Sequence, residues 1–172
     1  MIQRARLTLI LLAGLALASP AMALQQAVSG QVRQFGTHKN FEDRPFANGD
    51  FGYGAAYEIR DTMGYWQIGA LYTPDAGSDS DIDYAVTPFL NLMIKDKIFL
   101  AGLGIDKTYM SRSSGDDDWT DVYWTILTGL EFPISQHLSL TGLAVYDLNR
   151  LGKLGDFRFD DVEFAAALNL LF

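Results

Sequence analysis

His38 and His137 are the only histidines of the chain, and they are the side chains best suited to moving a proton near neutral pH. A hydroxyl nucleophile needs such a base at bonding distance, itself oriented by an acid. For His38 the candidate partners are Asp79 and Ser80, which fall in a different polar stretch, and loop Asp and Ser are abundant in this chain. Spacing fixes no base and nucleophile pair, so no catalytic residue is assigned. The acids offer other chemistry. Asp75, Asp79, Asp81 and Asp83 crowd one polar stretch, and Asp116, Asp117, Asp118 and Asp121 another. Carboxylates at that density suit the hard cations Ca²⁺ and Mg²⁺, which could bridge to phosphate groups. The run Asp79-x-Asp81-x-Asp83 nevertheless lacks the downstream Gly and Glu that complete an EF-hand loop. Asp79, Asp81, Asp83, Asp116, Asp117 and Asp118 therefore stand only as weak metal candidates, and a solvated loop is the expectation.

A third set, Arg33, Glu58, Arg60, Asp106 and Glu131, lies inside segments that alternate apolar and small residues. What these charges do depends on the elements that carry them. The apolar period is two, the period of strands, and no stretch after residue 23 has helical spacing. Eight strands are predicted: Ala27–Gly36, Phe51–Arg60, Tyr65–Thr73, Tyr84–Ile94, Ile98–Tyr109, Val122–Phe132, Leu138–Asp147 and Val162–Phe172. The second offers Phe51, Tyr53, Ala55, Tyr57 and Ile59 on one face and Gly52, Gly54, Ala56, Glu58 and Arg60 on the other. The seventh is ambiguous, because Leu138, Leu140 and Ala144 compete with Leu143 and Val145.

Connections after odd-numbered strands are longer and polar, and those after even-numbered strands are short, as in Asp61–Gly64, Lys95–Lys97 and Pro133–His137. Long loops at one end and tight turns at the other are the pattern of a transmembrane barrel, and ten-residue strands tilted by about 45° span a bilayer. A soluble barrel of lipocalin type would also alternate. Its polar faces would carry Lys, Glu, Thr and Ser, whereas here they carry mostly Gly and Ala.

The last strand places Phe172, Leu170, Leu168, Ala166, Phe164 and Val162 on one wholly apolar face and ends the chain on an aromatic residue. This resembles the C-terminal signature of bacterial outer-membrane β-barrels, in which the assembly machinery reads the terminal Phe. At the other end, Arg4 and Arg6 precede an apolar run from Leu7 to Ala18, and Ala21-Met22-Ala23 supplies a small-x-small cleavage pattern. Residues 1–23 read as a cleaved signal peptide and 24–172 as one barrel domain. Without Arg4 and Arg6, 11 basic residues face 21 acidic ones, a net charge of −10, which argues against a nucleic-acid partner. The chain has no cysteine, so a closed hydrogen-bonded sheet or a good core must supply stability.

In architecture the chain resembles the small OmpA/OmpX-type outer-membrane barrels. The resemblance implies an all-β, eight-stranded antiparallel up-and-down transmembrane barrel in the bacterial outer membrane. It further implies a monomer without a cofactor, whose partners are outer-membrane lipids, lipopolysaccharide and the assembly machinery that reads Phe172, Leu170, Leu168 and Phe164. Outer-membrane lipid A deacylases use a Ser/His/acid arrangement near one rim, and lipid A palmitoyltransferases use His, Asp and Ser from outer loops with an amphipathic N-terminal helix. No such arrangement, and no room for that helix, is read here. The expected role is envelope-structural or surface interaction, with a narrow channel for small or hydrophobic solutes and a lipid A-modifying enzyme as alternatives. Arg33, Glu58, Arg60, Asp106 and Glu131 are expected to form one ion-paired network that fills the lumen, with Arg33 beside Glu58 and Asp106 beside Glu131.

Overall fold

Alternating apolar and small residues, closed by turn chemistry, build the sheet of the computed structural model, which describes residues 24–36, 44–77, 81–149 and 158–172. The strands are β1 (Gln25–Gln34), β2 (Phe51–Arg60), β3 (Gly64–Pro74), β4 (Ile82–Asp96), β5 (Phe99–Asp106), β6 (Tyr109–Arg112), β7 (Asp118–Trp119), β8 (Tyr123–Pro133), β9 (Leu138–Leu148) and β10 (Val162–Leu171). Each barrel strand pairs antiparallel with its neighbours, and β10 pairs back onto β1 from Ala27↔Leu171 to Gln34↔Phe164, so the sheet closes. The wall has eight staves, because β5 and β6 run along the same partner strand β4, and β7 is a two-residue return on β6. The predicted strand Ile98–Tyr109 is thus interrupted after Asp106. Its register brings Lys107 opposite Pro88, whose O accepts from Lys107 N at 3.3 Å, but a proline has no N–H to return the second bond.

Partners followed from Gln25 through Arg60, Tyr65, Met93, Gly102, Leu127, Val145 and Glu163 lead back to β1 beside Phe35, ten residues further along. With a rise of about 3.3 Å and a strand spacing of about 4.7 Å, that stagger tilts the strands by roughly 40°.

The tight turns gather at one end. After β2, Asp61 Oδ1 accepts from Met63 N and Gly64 N at 2.6 and 2.9 Å, and after β4 Lys97 adopts a positive φ of 57°. Both chain ends of the barrel lie there too. Residues 37–43, 78–80 and 150–157, in three of the four long connections, and the segment 1–23 are outside the described residues.

The barrel is inside out relative to a soluble one. Val28, Tyr57, Trp66, Ile68, Leu90, Leu103, Leu140 and Leu168 are exposed on the wall, while Arg33, Glu58, Arg60, Asp106, Asp147 and Glu163 are buried within. Strand facing in β9 is settled: Ser139, Thr141, Leu143, Val145 and Asp147 turn inward, and Leu140, Gly142 and Ala144 outward. Tyr146, although on the outward parity of β9, is buried, and its hydroxyl accepts from Arg158 N at 3.4 Å.

Candidate functional site

Side chains occupy most of the lumen. Glycines on the inner face admit large neighbours: a Cβ on Gly69 would fall 2.6 Å from Phe89 Cζ, one on Gly102 2.3 Å from Met93 Sδ, and one on Gly104 2.0 Å from Asn91 Oδ1. Phe89, Met93 and Asn91 of β4 therefore lie across the flanking strands. Tyr65, Met93, Leu100, Leu127, Leu143 and Val145 form an apolar layer. A cavity of about 30 Å³ lined by Gln31, Gln67, Asn91, Asp106 and Leu127, among others, has room for ordered water, and Gln31 Nε2, buried without a protein partner, is a donor to it.

All five charged residues picked out by alternation are buried on the inner face, but they divide between two groups. The expectation of one network is corrected by the registers. Arg33 lies opposite Gly52 and Glu58 opposite Ala27, so six residues of β1, about 20 Å of strand, separate the two levels. Asp106 lies opposite Tyr123, and Glu131 is one residue beyond the Phe99↔Leu130 pair, so these two acids occupy opposite ends of adjacent strands.

The group at the tight-turn end is balanced. Arg60 Nε donates to Glu58 Oε2 at 2.6 Å and Arg60 Nη1 to Glu131 Oε1 at 2.7 Å, with the guanidinium 4.4 Å over the Tyr65 ring. Lys95 Nζ lies 3.0 Å from Glu131 Oε2. Gln67 Nε2 donates to Glu58 Oε1 at 2.8 Å, Asn91 Nδ2 to Gln67 Oε1 at 2.9 Å, and Ser139 Oγ to Glu131 Oε1 at 2.7 Å. Two cations meet two carboxylates, which is how buried charge becomes tolerable.

Among the described residues, the group at the long-loop end brings two guanidiniums, Arg33 and Arg44, to three acids, Asp106, Asp147 and Glu163. Arg33 donates to Glu163 through Nε and to Asp147 through Nη2, and its Nη1 lies 3.5 Å from Asp106 Oδ2. Arg44 donates from Nη2 to Asp106 Oδ1 at 2.7 Å and from Nη1 to Asp147. Arg44, Lys95, Asp147 and Glu163 were missing from the expected set. Glu163 and Asp147 stand on inward parity and were open to discovery by counting. Arg44 lies in a connection, where no period speaks.

His137 is exposed in the turn before β9, with Nδ1 3.2 Å from Leu171 O. His137-Leu138-Ser139 does alternate a histidine with a serine, but Ser139 points inward and donates to Glu131, so the two form no pair. His38, Asp79 and Ser80 lie outside the described residues. Among the described residues no group of three or more His, Cys, Asp or Glu side chains is arranged to hold a metal ion. Asp116 is exposed, Asp118 accepts from Trp119 N at 2.7 Å, and Asp81 and Asp83 are exposed. Asp117 accepts from the Tyr109 hydroxyl and from Arg112 N at 3.2 Å. These bonds hold its carboxyl below the usual range, and the bond to Asp117 pushes the Tyr109 phenol up to about 12.

No family model matches this chain, and no curated protein does. Several solved structures are similar to this chain, two small barrels among them. The crystal structure of Neisserial surface protein A has a TM-score of 0.46 and 12% identity, over 87% of this chain and 96% of that one. The crystal structure of Ail, the attachment invasion locus protein of Yersinia pestis, has a TM-score of 0.44 and 14% identity, over 88% of this chain and 100% of that one.

Proposed function

We propose that this chain is an outer-membrane β-barrel protein whose lumen is closed and whose work is done at its long-loop surface, in envelope structure or surface interaction. One observation carries the reading: large apolar side chains ring the outside while paired charges fill the inside. A contiguous apolar belt is foreign to a soluble monomer and is what hydrocarbon requires. The belt includes Phe164, Leu168, Leu170 and Phe172 of the terminal strand. On this reading those four residues form the surface that the assembly machinery reads, and lipid and lipopolysaccharide cover the wall. A sheet with no open edge suits a monomer.

The long loops face the medium and the tight turns the periplasm. Ion conduction is disfavoured by the apolar layer across the lumen. The test is cell fractionation with heat-modifiable gel mobility of the purified protein. Recovery in the outer membrane with a heat-dependent shift is the expected result, and recovery as a soluble periplasmic monomer defeats it. Planar-bilayer conductance and mass spectrometry of lipid A from deletion strains then distinguish a channel and an enzyme from a surface protein.

A further inference from the structure

The chain has five asparagines, and only Asn48 precedes a glycine; Asn40, Asn91, Asn149 and Asn169 precede Phe41, Leu92, Arg150 and Leu170. The difference is chemical. A backbone nitrogen attacks the preceding carboxamide most readily when no side chain crowds it, and glycine has no Cβ. Asn48 is exposed in the turn of residues 47–50, which Asp50 N closes on Ala47 O at 3.2 Å. Gly49, at φ 94°, holds the turn position that favours glycine, and the space where a Cβ would stand is open. Asn91 and Asn169, by contrast, are buried, and their Nδ2 atoms donate to Gln67 and to Ser139 and Thr141. Among the described residues no hydrogen bond holds the Asn48 carboxamide.

We propose that Asn48 is a site of spontaneous deamidation in the folded barrel, gated by the turn that carries it. Gly49 N attacks Asn48 Cγ, the new N–Cγ bond replaces the Cγ–Nδ2 bond, and Nδ2 leaves as ammonia with the Gly49 amide proton. Water then opens the cyclic imide. Attack at the side-chain carbonyl gives aspartate, and attack at the main-chain carbonyl gives isoaspartate, whose backbone runs through Cβ. Both products add a carboxylate. In the closed turn Gly49 N donates to Phe35 O at 3.0 Å, so the attacking nitrogen is held until that bond opens. Asp50 keeps the turn shut, its Oδ2 accepting from Ala47 N at 2.8 Å and from Gly77 N at 2.7 Å. Local opening of these four residues, rather than unfolding of the barrel, therefore sets the rate. Isoaspartate lengthens the main chain between Ala47 and Gly49, so the spacing of donors that fits Asp50 and Phe35 is lost. The modification goes beyond the proposed surface role and does not depend on the membrane reading.

The experiment is peptide mapping of the purified, detergent-solubilised protein after incubation at mildly alkaline pH, with enzymatic methylation to mark isoaspartate. The parent, Asp50→Ala and the urea-unfolded parent are compared. Asn48 should be the first asparagine converted in the folded parent. Asp50→Ala should convert about tenfold faster, the factor that two lost hydrogen bonds allow, and the unfolded chain faster still. In the converted protein the Ala47 and Gly77 amides should exchange faster than in the parent at the same pH. Earlier conversion of another asparagine, no conversion of Asn48 in the folded parent, or an Asp50→Ala rate equal to the parent's overturns the proposal. If Asp50→Ala does not fold, the parent decides alone: conversion at Asn48 that is slower folded than unfolded supports the gate, and equal rates overturn it.

Discussion

Gln26 and Phe172 exchange backbone hydrogen bonds, Phe172 N to Gln26 O at 2.9 Å and Gln26 N to Phe172 O at 3.2 Å. The last residue is thus stitched to the first strand at the tight-turn end, and it is also 62% exposed on the wall. Deleting Phe172 removes both bonds and the aromatic terminus. The expected outcome is a slower-assembling protein with a reduced heat-modifiable fraction, measured in refolding into lipid vesicles. Unchanged assembly would argue that Leu170 and Leu168 suffice.

Facing predicts a second contrast. Leu168 lies opposite Gly30, near the middle of β1 and 49% exposed, whereas Phe164 lies opposite Gln34 near the loop end. Leu168→Arg is expected to destabilise by ~2–4 kcal/mol and Phe164→Arg by less, because the penalty falls towards the interface. Urea titrations in vesicles measure the order.

The two charge groups predict where coupling appears. Arg60 and Glu131 bond directly, so Arg60→Ala or Glu131→Ala leaves a buried charge and should destabilise by ~3–5 kcal/mol, with the double variant far from additive. Arg33→Ala and Glu58→Ala, at opposite ends of the lumen, should add. A double-mutant cycle in detergent unfolding decides, and strong coupling between Arg33 and Glu58 would contradict two separate groups.

Glycines predict opposite signs on the two faces. Gly104→Ala drives a methyl into Asn91 Oδ1, and overpacking of this kind destabilises by about 1–3 kcal/mol. Gly142→Ala points into open space on the outer wall and should be neutral or stabilising by about 0.4–1 kcal/mol. Thermal midpoints of the two variants should fall on either side of the parent.

The hairpin of β6 and β7 carries a pH dependence. The Asp117 carboxyl is held below its ordinary value, so its contribution is present above the ordinary carboxylate range and is lost as pH falls through the lowered value. Protection of the amides around Trp119, taken relative to their intrinsic exchange at each pH, should fall in acid. Asp117→Asn should bring the Tyr109 phenol down from about 12 towards its ordinary value, read by ultraviolet titration.

What was legible in the chain was whatever has a period. Phe172, Leu170 and Leu168 share a face because side chains alternate, and one aromatic terminus fixes which face. Glu58 and Arg60 were placed inside by the same alternation. It fixes facing but not height, and height is set by strand stagger, so Arg33 and Glu58 share the inner face without sharing a level. Lys95 sat just past a strand boundary drawn at Ile94. Arg44 was invisible to any period, since a connection that folds into the mouth announces itself only through the carboxylates it neutralises.

The separation of an apolar outside from a charged inside exists only after neighbouring strands have paired. Before that, the same residues alternate along a chain whose mean hydropathy is only +0.07, with no described helix long and apolar enough to cross a membrane. Along the unpaired strands apolar side chains largely alternate with small or polar ones, so no continuous apolar surface exists for lipid to engage. On the proposed outer-membrane reading, affinity for lipid is created by the act of closing, so insertion and folding are one event rather than two.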